Sequence, residues 1–147
     1  IGLGSTGIAA AVADNTANNN RSTANIVAWL KANGYSGISI DAEEYAVMQV
    51  VPDFVTQLGP SFQAAGLGIA ISVPWPGGGP TNLYGAGAVQ AFNAYVDVLE
   101  LQDYSSAGTP IDAPIWISAG IPASKLMGGV STENGQYLTS LSDTQAW

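Results

Sequence analysis

Two hydrophobic periods alternate along this chain. Over residues 20–33, apolar Ile26, Val27, Trp29 and Leu30 recur at helical spacing and Gly34 follows as a stop. The spacing predicts an amphipathic helix with these four side chains in its core-facing stripe. Over residues 37–43 the period falls to two, as on a strand. Residues 52–65 return to helical spacing, with Pro52 in the first turn and Gly66 at the end. Residues 67–73 form a nearly continuous apolar run, as expected of a parallel strand buried on both faces. A helix is predicted over 86–95, a strand over 96–104, a short helix over 114–120, a strand over 125–131 and a last helix over 136–146. Residues 1–5 read as the end of a strand, and 9–19 as a loop or irregular helix.

The resulting order, βαβαβαβαβα, predicts an α/β protein with a parallel sheet under helical cover. The stretch Pro-Trp-Pro-Gly-Gly-Gly-Pro at residues 74–80 directly follows a strand, so it is a βα loop and not a linker. Residues 1–147 therefore form one domain. No run approaches the roughly 20 apolar residues of a membrane helix. The first residue is Ile1 and not Met, which suggests processing or excision from a longer chain.

Composition narrows the chemistry. The net charge is −8, with only Arg21, Lys31 and Lys125 as basic residues. Nucleic acid and anionic membrane surfaces are thereby disfavoured as partners, and a neutral ligand such as a carbohydrate suits this charge. The absence of cysteine removes disulfides, thiol nucleophiles and thiolate metal sites. The absence of histidine removes the commonest general base and makes a Ser-His-Asp triad impossible. Catalysis here must run on carboxylates, Tyr, Ser/Thr or Lys. The scarcity of Lys beside abundant Gly, Ala, Ser, Thr and Asn suggests an extracellular protein.

On a strand over residues 37–43, Ser39, Asp41 and Glu43 share one face, and Ile38, Ile40 and Ala42 the other. Two carboxylates this close repel, so that one becomes a plausible proton donor near neutral pH. Periodicity alone leaves two readings open, a catalytic pair or acids that end a strand in solvent. Glu44 and Asp53 read as solvated charges. Glu100 is ambiguous, sharing strand parity with Gln102 and Tyr104.

Here the sequence becomes specific. Ser-Gly-Ile-Ser-Ile-Asp-Ala-Glu at residues 36–43 resembles the fourth-strand signature of the family 18 glycoside hydrolases, the chitinase family, Asp-Gly-x-Asp-x-Asp-x-Glu. The helix before it resembles that family's third helix, and Ile-Gly-Leu-Gly-Ser at 1–5 the Gly-rich end of its third strand. Residues 67–74 are similar to the fifth strand and 121–130 to the approach to the seventh. Residues 96–104 resemble the sixth strand of the compact plant and fungal chitinases, Gln102 and Tyr104 matching Gln-x-Tyr.

The resemblance implies a (β/α)8 TIM-barrel type, here incomplete: strands three to seven have counterparts, and one, two and eight have none. It implies hydrolysis of β-1,4 bonds next to N-acetylglucosamine, in chitin, chitooligosaccharides or N-glycan cores, with the substrate's own acetamide as nucleophile. Glu43 would protonate the glycosidic oxygen. Asp41 would orient the acetamide, Tyr104 would bond its carbonyl oxygen, and Gln102 would hold the sugar. No metal or organic cofactor is implied. Ser36 and Ser39 depart from the pattern, standing where the family has Asp; Ser39 can hydrogen-bond Asp41 but carries no charge, which puts activity in doubt. Trp75 is either a stacking platform for sugar or loop packing, and Tyr45 either lines the site or packs beside the strand. Trp29 and Trp116 are expected as packing residues. A five-strand arc has two open sheet edges, for which self-association is one expected cover.

Two other readings come from different classes. One is a non-catalytic, lectin-like glycan binder, favoured by the missing acid at position 39. The other is a small flavodoxin-like doubly wound domain. Gly2, Gly4 and Gly7 spell G-x-G-x-x-G, without a complete strand before them or the acid about 20 residues on.

Overall fold

The computed structural model describes residues 5–74, 78–102 and 112–129. Two helices, α1 (Ser5–Ala17) and α2 (Arg21–Ala32), come first. Residues 9–19, expected as a loop or irregular helix, are instead mostly regular α-helix, and Ser5 begins that helix and ends no strand. Alanine explains the difference: Ala9, Ala10, Ala11, Ala13 and Ala17 favour helix strongly but mark no apolar stripe. Asn19 and Asn20 turn the chain in the left-handed region, which asparagine tolerates better than most residues. Buried Asn15 clamps the pair, accepting from the Thr23 backbone N–H at 2.9 Å and donating to Thr23 Oγ1 at 2.9 Å and Gln57 Oε1 at 3.0 Å.

Then follow β1 (Gly37–Asp41), α3 (Tyr45–Met48), α4 (Val51–Ala65), β2 (Gly68–Val73), α5 (Pro80–Tyr84), α6 (Ala88–Tyr95), β3 (Val98–Leu101), α7 (Asp112–Ser118), a 3₁₀ turn (Ala123–Lys125) and β4 (Leu126–Gly128). The predicted helices and strands over 20–131 are thus present, with bounds shifted by a few residues. Helix α4 carries Pro52 in its first turn and ends on Gly66 at φ 68°, where a side chain would be strained. The parts of the expected elements over residues 1–4, 103–104 and 130–146 lie outside the described residues.

The four strands are all parallel, in the order β1-β2-β3-β4. Each strand pairs with the next in the chain, so the described sheet has no point at which the order reverses. A doubly wound, flavodoxin-like sheet requires such a point, and that alternative is set aside. Ile40, Ala42, Ile69, Ile71, Val73, Leu99 and Leu101 are buried in one cluster with Leu30, Phe54, Leu58, Phe62, Phe92 and Trp116 from the helices. Each fully buried large side chain contributes roughly 1.5–3 kcal/mol.

Strand β2 corrects one expectation. Its burial alternates, with Ile69, Ile71 and Val73 buried and Ala70 and Ser72 partly exposed. The run looked continuously apolar because only small residues occupy its second face. Trp29 is a second correction: it is 39% exposed and stacks on Tyr35 at 5.3 Å. Helix α2 docks through Thr23 and Leu30, and one residue's rotation carries Trp29 to the flank. Trp116 is fully buried, as expected. No described helix is long and apolar enough to cross a membrane.

Candidate active site

Towards the C-terminal ends of β1, β2 and β3, the face of the sheet opposite the core is polar. Strand β1 buries Ile40 to 4% exposure and turns Ser39 and Asp41 outward, and Ala42 and Glu43 continue the alternation beyond its end. Asp41 and Glu43 are both exposed at the C-terminal end of β1, where parallel α/β proteins place their sites. Glu44, also exposed, then starts α3, its backbone carbonyl accepting from the N–H groups of Val47 and Met48.

Register carries the polar face across the sheet. Asp41 pairs with Ser72 on β2, and Ser72 with Glu100 on β3. Gln102 Nε2 donates to Ser72 Oγ at 2.9 Å, and Ser72 Oγ donates to Glu100 Oε2 at 3.4 Å. An amide, a hydroxyl and a carboxylate thus form one chain of hydrogen bonds beside Asp41, in which each member limits its neighbour's rotation. Glu100, ambiguous by parity, belongs to this face. Ser72 was not among the candidates. Its parity with Ala70, the lone hydroxyl in an apolar strand, was the signal available.

Tyr84, at the end of α5, was also not a candidate. It is 1% exposed, with its ring edge-on to Phe92 at 5.2 Å and to Trp116 at 6.3 Å. Its hydroxyl has no hydrogen-bond partner among the described residues. Burial, and secondly the negative charge of Asp41, push the phenol well above its ordinary range, so it is a neutral donor. Nothing in the sequence of α5 announces this burial, because Phe92 and Trp116 come from other helices.

The other candidates divide. Tyr45 is 65% exposed at the start of α3, outside the core. Asp53 is exposed, as expected for a helix-start charge. Trp116 Nε1 donates to the Gly78 carbonyl at 3.1 Å and so ties down the end of the Pro/Gly loop. Trp75 and Tyr104 lie outside the described residues. Ser39 lines a separate groove of about 570 Å³ with Asn25, Ile26, Trp29, Tyr35 and Ile38, along the edge of β1. Neither Asp41 nor Glu43 lines it; its apolar walls are what an edge strand leaves exposed.

No family model matches this sequence, and no curated protein does. Solved structures do match. A chitinase from Chromobacterium violaceum aligns at a TM-score of 0.61 and 24% identity, over 82% of this chain and 43% of that one. Catalytic domain 2 of the Group II chitinase of Ostrinia furnacalis, a mutant in complex with a (NAG)5 chitooligosaccharide, aligns at 0.60 and 17%, over 83% and 40%. A protein named as a sporulation-specific glycosylase from Bacillus subtilis aligns at 0.62 and 23%, over 88% and 48%. This chain spans less than half the length of each. With its sequential parallel order and its open sheet, the chain has part of the TIM-barrel-type fold of these chitinases, an incomplete (β/α) arc.

Proposed function

We propose that this chain is a glycoside hydrolase that cleaves β-1,4 bonds next to N-acetylglucosamine by a substrate-assisted, retaining route. The observation that carries the proposal is the shared exposed face of Asp41 and Glu43 at the C-terminal end of β1, beside the Gln102–Ser72–Glu100 chain. The likeness in fold to chitinases, one of them in complex with a chitooligosaccharide, supports the substrate class.

In this reading Glu43 gives its proton to the glycosidic oxygen as the bond to the anomeric carbon breaks. The acetamide carbonyl oxygen attacks that carbon and forms an oxazolinium ion. Asp41 accepts from the acetamide N–H and stabilises the positive charge. Glu43, now a carboxylate, takes a proton from water, which opens the ring with net retention. Tyr104 bonds the acetamide oxygen, Gln102 holds the sugar, and Trp75 and Tyr45 contact the substrate. A net charge of −8 suits a neutral glycan, and the scarcity of Lys beside abundant Gly, Ala, Ser, Thr and Asn supports a place outside the cell.

The test is hydrolysis of a chitobiose or chitotriose reporter by the chain and by Glu43→Gln. Expected is turnover that falls at least about a hundredfold in the variant while the fold is retained. Turnover equal in both would sink the assignment of Glu43. Ser39 favours one other reading, a lectin-like binder: without a second acid beside Asp41, the site would hold the sugar and not cleave it. Measurable sugar binding with no turnover would select that reading.

A further inference from the structure

We propose that two copies of this chain assemble head to tail, the β1 edge of each seated against the β4 edge of the other, and together close a parallel barrel. The inference rests on the two open edges of the arc and not on the chemistry proposed for Asp41 and Glu43.

Among the described residues β1 and β4 are the outermost strands, so each presents unpaired backbone N–H and C=O groups along one side. Neither strand contains Lys or Pro, which commonly blunt such an edge. Both flanks are apolar. Beside β1, Trp29 and Tyr35 stack on each other and stay exposed at the groove that Ile26 and Ile38 also line. These two rings alone leave roughly 60–140 Å² each in water. At the other edge, Met127 in the middle of β4 is 55% exposed, and α7, the helix leading into β4, exposes Ile115 and Ile117. The described residues expose six large hydrophobic side chains, and five of them belong to the elements at these two edges; Tyr45 is the sixth.

The occupant follows from symmetry. Each strand pairs with the next in the same direction, so the arc winds one way round, and a barrel of this type closes at eight strands. The described arc holds four, and the chain spans less than half of each chitinase or glycosylase it resembles. A twofold axis down the centre of the barrel sets β4 of one copy beside β1 of the other twice over, keeps every strand parallel and leaves no edge. Pairing β1 with β1 about a twofold axis would be antiparallel and would leave both β4 edges open. The faces also agree. Met127 is the register partner of Glu100, and Glu100 lies in one row with Ser72 and Asp41, so both edge strands turn the same face inward, as continuous pairing requires. Helix α2 precedes β1 and α7 precedes β4, so the ring brings α2 of one copy next to α7 of the other, and Trp29 and Tyr35 towards Ile115 and Ile117.

The experiment is sedimentation velocity of the full chain between about 1 and 300 μM, beside Tyr35→Lys and Met127→Lys, with far-UV circular dichroism to confirm that these exposed substitutions keep the fold. Expected is a reversible equilibrium that ends at two chains. Added salt should tighten it, because two copies of net charge −8 repel. Each variant should weaken the dimer at least about tenfold, since each removes an apolar side chain from one of the two edges that meet. A chain that stays monomeric throughout has its edges covered by its own residues or by another ligand, and that result overturns the inference. A dimer weakened by Tyr35→Lys and untouched by Met127→Lys is joined β1 to β1 and overturns it too. Mass that keeps growing past two copies shows an open filament in place of a closed ring and rejects the barrel.

Discussion

Gln102 reaches from the end of β3 to β2, where its amide donates to Ser72 Oγ at 2.9 Å. Ser72 passes its own proton on to Glu100. One hydroxyl thus orients two longer side chains. Ser72→Ala should lower kcat/KM on the chitotriose reporter about tenfold, because the hydroxyl that links Gln102 to Glu100 is removed. Stability to urea should change by less than about 1 kcal/mol, since the face is partly solvated. A variant with unchanged kinetics would show that the hydrogen-bonded chain has no part in function.

Helix α4 crosses α6 at Gly59, and the ring of Tyr95 lies where a Cβ would stand. Gly59→Ala should therefore cost about 1–3 kcal/mol in urea unfolding from overpacking, although alanine favours helix. Adding Tyr95→Ala should recover part of the loss that Gly59→Ala causes. If it recovers none, the strain lies elsewhere.

Lys125 closes the far end of the sheet. Its ammonium donates to the carbonyls of Phe92 at 3.0 Å, Asn93 at 2.9 Å and Val96 at 2.6 Å, around the C-terminus of α6. The Phe92 carbonyl also accepts from the Val96 backbone N–H, and the cation faces the negative helix end. Lys125→Met keeps much of the stem and removes the charge. About 1–3 kcal/mol of stability should be lost, with hydrogen exchange rising in α6 and β4.

Asp14 joins the α1–α2 turn through Arg21, Ser22 and Asn18. The Arg21 guanidinium first, then the Ser22 hydroxyl, hold its carboxyl at about 2, below the ordinary 3.8. The folded state thus favours the ionised form, and the contribution is present above about pH 4 and lost as pH falls towards 2. Asp14→Asn should flatten that part of the Tm–pH curve and leave the rest parallel. An unchanged curve would place the acid sensitivity in other carboxylates. Added salt should shrink the difference, because the pair is exposed.

Legibility in the sequence follows the range of the interactions. The β1 face was readable because Ile38, Ile40 and Ala42 alternate with Ser39, Asp41 and Glu43, and burial follows that alternation. Helix α4 was readable because Pro52 and Gly66 act on their own backbone. Helix α1 was not, because an alanine-rich segment has propensity without a stripe. Trp29 misled because helical spacing places residues on a cylinder without saying how far the neighbouring helices wrap around it.

The site divides along the same line. Asp41 and Glu43 sit on one short segment, and a two-residue period is enough to put them on one side. Ser72, Glu100 and Gln102 join them only through the register of three strands. By itself the sequence determined the alternation of β1 to β4 with α2, α4, α6 and α7, the face of the carboxylates and the exclusion of thiol and imidazole chemistry, since these depend on residue type and near neighbours. Tertiary structure alone decided which hydroxyl stands between Gln102 and Glu100 beside Asp41, because hydrogen bonds reach about 3 Å and only the folded sheet brings residues 30 or so positions apart within that distance.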